Sequence, residues 1–204
     1  MTDRTITTDA SAERSAVPEL SGVELRVTGD GTTTAAARRD ASDRAATVRD
    51  RLTDVVDDER VRTTTVEVDE TDDLFGPDTD LPYQATERLR VDCTPDAVET
   101  VVVAATDAGA AVPTVEHALH EGRERALQEE ALAAATERAR EKAEHVADAE
   151  GLRVGSVRSV TTREVDTGMQ SIVDDALAEG SSSSLRPSPV PVSATVEVVY
   201  ELTE

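Results

Sequence analysis

This 204-residue sequence is almost without lysine and aromatic side chains. Lys142 is its single lysine, and Phe75, Tyr83 and Tyr200 are its only aromatic residues. Cationic side chains are scarce overall, with 21 Lys+Arg against 43 Asp+Glu and a net charge of -22. Such a chain repels the phosphate backbone, whose binding needs clustered Lys and Arg to release counterions. The same charge disfavours an anionic membrane surface. A spanning helix needs about 20 consecutive apolar residues, and no such run occurs. The opening MTDRTITTDA lacks the apolar core of a secretion signal, so a cytoplasmic location is expected. With Cys93 as the only cysteine, no intramolecular disulfide can form.

What is present is valine in strand-like runs, and alanine at helical spacing. That periodicity separates the chain from a disordered polyanion. Abundant carboxylates and scarce lysine fit a cytoplasm at molar salt, where a Debye length of roughly 3 Å screens self-repulsion.

A weak strand is expected at Thr5–Thr8, followed by a polar stretch from Asp9 to Ser21, with residues 1–20 weakly ordered. Gly22–Thr28 alternates, with Val23, Leu25 and Val27 on one face, and Gly29-Asp30-Gly31 reads as the turn that ends it. A helix is expected from Thr33 to Val56, then a strand at Val61–Glu70, a loop at 71–82 and a strand at Tyr83–Cys93. Thr94-Pro95-Asp96 opens a second helix that stops at Gly109. A strand at Pro113–Gly122 precedes the longest helix, Arg123–Glu150, whose apolar face runs through Leu127, Ala131, Ala134, Ala135, Ala139, Ala143 and Val146. Leu152–Val165 reads as a strand, 166–188 as a flexible loop with a short helix at Ile172–Leu177, and Pro189–Thr203 as a closing strand. The order β-β-α-β-β-α-β-α-β-β predicts one α+β domain over 1–204, with helices packed on a mixed, mostly antiparallel sheet.

Two adjoining runs carry a family resemblance. Ala139-Arg140-Glu141-Lys142-Ala143-Glu144-His145-Val146-Ala147 and Gly151-Leu152-Arg153-Val154-Gly155-Ser156-Val157 are similar to the helix-to-strand signature of the SIMPL-domain family. That family includes bacterial oxidative-stress-defence and periplasmic immunogenic proteins. Pro18-Glu19-Leu20-Ser21-Gly22-Val23, Asp107-Ala108-Gly109-Ala110 and the closing PVPVSATVEVVYEL resemble other family segments, so the likeness spans about Thr5 to Leu202. The glutamate replaces a usual aspartate, and most bacterial members carry a secretion signal. The resemblance implies an α+β domain, assembly into rings in some members, a link to stress, and no catalytic residues.

No catalytic, cofactor-binding or metal site is assigned from the residues. His117, His120 and Glu121 lack the order and spacing of a zinc-protease motif, and on a strand the two histidines point to opposite faces. His145 reads as solvated and Cys93 as a small buried hydrophobe, since a reactive thiol needs a cationic, partly exposed setting. Gly29-Asp30-Gly31-Thr32 lacks a phosphate-binding lysine, and Asp69-Glu70-Thr71-Asp72-Asp73 lacks the pattern of a calcium loop. The expected function is therefore non-enzymatic, through self-assembly into a homo-oligomer or through a protein partner. Val196, Val198, Tyr200 and Leu202 are the candidate inter-subunit edge strand, because an unpaired strand recruits partners. The alternative is a small-ligand binder or enzyme with a pocket between the long Ala-rich helix and the sheet.

Overall fold

The computed structural model describes residues 4–71, 81–164 and 187–204. Most of the expected loop at 71–82, nearly all of that at 166–188 and the short helix at Ile172–Leu177 lie outside the described residues. The element order is β1 (Thr5–Ala16), β2 (Leu20–Gly31), α1 (Thr34–Leu52), β3 (Val61–Glu70), β4 (Tyr83–Cys93), α2 (Val98–Asp107), β5 (Ala111–Ala118), α3 (Glu121–Ala149), β6 (Arg153–Glu164) and β7 (Val190–Thr203). This is the α+β class and the order expected. The strands divide into two sheets, however, ordered β1-β7-β6 and β3-β4-β2-β5. All pairings are antiparallel. The chain gathers into two compact units: β1, β6, β7 and α3 form one, and β2–β5 with α1 and α2 form the other.

In the first unit, β1 is a strand of 12 residues, where four were expected. Thr8, Ala10 and Ala12 turn inward between outward Thr7, Asp9, Ser11 and Glu13. Small inward residues give a weak hydrophobic signal, yet they suit a close helix. The buried stripe of α3 is Leu127, Ala131, Ala135, Ala139, Ala143 and Ala147, one residue in four. Val146 lies off that stripe and is exposed. With only methyl groups between them, helix and strand approach closely enough for the Thr8 hydroxyl to donate to the Ala139 carbonyl at 2.8 Å. Val196, Val198 and Tyr200 of β7 complete this core. α3 begins at Glu121, so Gly122 sits in its first turn instead of ending β5, and Gly151 closes the helix at φ +69°.

The second unit packs α1 and α2 on one face of its sheet, around Val23, Leu25, Val27, Val48, Leu52, Leu89, Val91, Val98 and Val101. Thr33 caps α1, its hydroxyl accepting from the Ala36 N–H. α1 ends at Leu52, short of the expected Val56. Gly29-Asp30-Gly31 is not a turn; these residues are the end of β2. A Cβ on Gly29 would lie 2.6 Å from Ala41 Cα and 2.7 Å from Asp40 C, and one on Gly31 would lie 2.8 Å from Ala36 C. The glycines are there so that α1 can rest its backbone on the strand. Asp30 fixes the same junction: its N–H donates to Asp40 at 3.1 Å, and its carboxylate accepts from Gln84 at 3.0 Å. Thr94 makes no side-chain cap, and a single 3₁₀ turn over Pro95–Ala97 leads into α2. Gly109 ends α2 at φ +89°.

Candidate functional site

The strand expected to offer an open edge does not offer one. β7 is hydrogen-bonded to β1 on one side and to β6 on the other. Val196, Val198 and Tyr200 are buried beneath α3, and only Leu202 is partly exposed. An acid-poor, valine-rich strand reads as sticky in isolation, but here that composition belongs to a central strand covered by a helix. The edges of the two sheets are β1, β6, β3 and β5.

These four edges differ in what they present. The main-chain N–H of Leu202 donates to Arg4 O, so even-numbered residues of β1 and β7 face each other and odd-numbered groups of β1 point outward. Two of those outward carbonyls are occupied. Arg138 donates to Ser11 O at 2.9 Å, and Lys142, the single lysine, donates to Asp9 O at 2.7 Å. Cationic side chains from α3 thus cover the β1 edge, a known way of closing a strand to partners. β5 has only 8 residues, and Pro113 removes a donor from its middle.

β3 and β6 have no comparable cover among the described residues. Each has one hydrogen-bonded neighbour there. Each also carries large apolar side chains half in solvent: Val66 at 49% exposure on β3, Val157 at 50% and Val160 at 52% on β6. Val157 and Val160 stand opposite Tyr200 and Val198, on the face of the sheet that α3 covers. α3 lies mainly over β1 and β7, so the outer strand projects beyond it. A shallow hollow of about 700 Å³ results, with Leu132, Ala133, Val157 and Tyr200 in its wall and Glu129 and Arg140 at its rim. The hollow lies between the long helix and the sheet, the region named in the alternative ligand-binding reading.

Buried groups of chemical interest lie in the second unit. Cys93, Ser21 and His117 stand side by side across β4, β2 and β5. Ser21 Oγ and His117 Nδ1 are 2.6 Å apart, and both residues are buried. Burial lowers the His117 pKa and pushes the Cys93 thiol up to about 11, with Asp92 adding to the rise. Both shifts favour the uncharged forms, as expected of side chains in a core. Cys93 also lines a cleft of about 370 Å³ with Val55, Val56, Arg60 and Ala97. His120 precedes the first residue of α3, and His145 is exposed on that helix beside Lys142. On the outer sheet face, the Arg90 guanidinium crosses Gly22 and donates to Glu116 at 2.9 Å and Asp92 at 3.1 Å. Of the acidic run at 69–73, Asp69 and Glu70 lie on β3 and Asp72 and Asp73 fall outside the described residues.

Among known proteins, the SIMPL family, described as "Protein of unknown function (DUF541)", matches residues 6–200. No curated protein matches. One solved structure, of an uncharacterized conserved protein from Listeria innocua, aligns at 13% identity over 93% of this chain and 91% of that one. Its TM-score of 0.21 is too low to carry a structural argument. The family match runs through nearly all of β1 to β7, so the chain belongs to the SIMPL family.

Proposed function

We propose that this SIMPL protein works without catalysis, by associating through the edges of its sheets with further copies of itself or with a protein partner. The observation that carries this reading is the pair of half-paired strands, β3 and β6, with half-exposed valines. A strand edge with free N–H and C=O groups recruits another strand, and apolar side chains beside it add buried area. Burial holds the Cys93 thiol protonated, opposite to the activation of a nucleophile. Composition supports a cytoplasm at molar salt as the working place, and the family resemblance supports a link to stress. Size-exclusion chromatography with light scattering in molar KCl tests the association: assemblies above the 21.7 kDa chain mass are expected, and a clean monomer refutes it.

The alternative, a small apolar ligand, has the hollow between α3 and β6 in its favour. A saturable apolar ligand that protects Val157 and Leu132 resonances, in a chain that stays monomeric, would establish that reading instead.

A further inference from the structure

We infer that the partner of the β6 edge is the β3 edge of a second copy, giving a head-to-tail assembly in which the sheets of neighbouring chains become continuous. This rests on the self-association reading and adds which two edges meet. Three independent features agree.

The first is hydrogen-bonding phase. Because β7 turns its even residues toward β1, its odd residues Val199, Glu197 and Thr195 bond Ser159, Thr161 and Arg163 of β6. The N–H and C=O groups of Val160 and Thr162 therefore point away from the sheet. On β3, Thr71 N donates to Pro82 O, which puts odd residues in register with β4 and turns the groups of Val66 and Val68 outward. An antiparallel register that sets Val160 against Val68 sets Thr162 against Val66, so outward groups meet outward groups.

The second is apolar matching. Of the large side chains left exposed on described strands, Val66 belongs to β3, and Val157 and Val160 to β6. The same register brings Val160 beside Val68 and within diagonal reach of Val66.

The third is charge. Residues 151–163 contain no carboxylate, but hold Arg153, Arg158 and Arg163, in a chain of net charge -22. β3 ends in Glu67, Asp69 and Glu70. The register that sets Val160 against Val68 places Arg158 opposite Glu70, so the basic run of β6 meets the acidic end of β3. Such complementarity suppresses wrong partners and fixes register. A contact between two different surfaces propagates, and closes only if the rotation between copies permits.

Proline substitution tests this without touching the intramolecular ladder, because the N–H groups of Val160 and Val66 bond neither β7 nor β4. In molar KCl, wild type should assemble, while Val160→Pro and Val66→Pro should each run at monomer mass with unchanged circular dichroism. Mixed in equal amounts, they should form a dimer and nothing larger, since one retains its β3 edge and the other its β6 edge. Val160→Asp and Val66→Asp, at positions already half in solvent, repeat the test should a proline variant fold poorly. Assembly that survives either substitution, or a mixture that stays monomeric, overturns the pairing while leaving self-association standing. A monomeric wild type overturns both.

Discussion

Replacing Gly29 with alanine puts the tightest helix-on-strand junction of the second unit under direct test. The added methyl carbon would stand 2.6 Å from Ala41 Cα and 2.7 Å from Asp40 C, where carbon atoms normally rest about 3.5–4.0 Å apart. Both obstacles are helix backbone, so no side chain can swing aside, and α1 must retreat by roughly 1 Å. A gap of that size forfeits a quarter to a half of each affected dispersion contact, and buried Ala37, Ala41 and Ala45 lie on the displaced face. Overpacking of this kind costs about 1–3 kcal/mol. The loss of glycine's freedom in the unfolded chain returns less than about 1 kcal/mol. A net loss of about 2 kcal/mol is expected, which moves the urea midpoint down by about 1 M at an m-value of about 2 kcal/mol/M. Two other glycines calibrate the result. At Gly22 the obstacle is the Arg90 guanidinium, with Cζ 2.7 Å away, a side chain that can move at the expense of its bonds to Glu116 and Asp92. Gly22→Ala should therefore cost about half as much as Gly29→Ala, within the overpacking range. Gly122 has nothing within 4 Å and lies in the first turn of α3, so Gly122→Ala should raise stability by about 0.5 kcal/mol. Midpoints measured by circular dichroism in molar KCl decide the matter. If Gly29→Ala unfolds with wild type, or Gly122→Ala is the more damaging of the two, the glycines do not serve close packing.

Three further expectations concern the buried row of Cys93, Ser21 and His117. A thiol raised from 9.0 to about 11 holds roughly 100-fold less thiolate at neutral pH, so iodoacetamide should label native Cys93 at least about 100-fold more slowly than the urea-unfolded chain; comparable rates would refute the burial argument. Ser21→Ala leaves the buried His117 Nδ1 without its partner and should cost about 1–3 kcal/mol in urea unfolding. Burial lowers the His117 pKa below its unfolded value near 6.5, so the native state favours neutral imidazole and loses stability as pH falls through 6.5. His117→Gln removes that loss, and its stability deficit against wild type should narrow between pH 7 and 5. A deficit that widens on acidification would contradict the direction of the shift.

Local periodicity made most of the elements legible. Val23, Leu25 and Val27 alternate strongly, Gly109 and Gly151 mark helix ends, and the alanines of α3 repeat every fourth residue. β1 was mostly hidden because its inward residues, Thr8, Ala10 and Ala12, are small and only weakly hydrophobic. Gly29 and Gly31 were misplaced for a related reason. A glycine permits a turn or a close approach, and only the position of α1 shows which one a chain uses. The candidate edge failed on a nonlocal property. Whether a strand is central or peripheral depends on pairing partners 40 or more residues away, as with Leu202 and Val154. Its composition nevertheless held the answer. The 14 residues of β7 carry two charges, Glu197 and Glu201, whereas the 12 of the edge strand β6 carry four, Arg153, Arg158, Arg163 and Glu164.

Molar salt decides which of the forces at the β3 and β6 edges matters. Adjacent strands lie about 4.7–4.9 Å apart, beyond the Debye length of roughly 3 Å at 1 M. Arginine–carboxylate pairs across the joint are therefore weak there, and so is repulsion between two bodies each carrying -22. Main-chain hydrogen bonds and the burial of Val66, Val157 and Val160 are not screened in this way. Apolar and backbone terms thus supply the affinity. In dilute buffer the balance reverses. The two net charges act over about 10 Å at 0.1 M, farther than a few local pairs can offset, so copies separate. On the proposed pairing the acidic surface makes assembly conditional on salt, and the acid-free run at 151–163 is where that surface is interrupted.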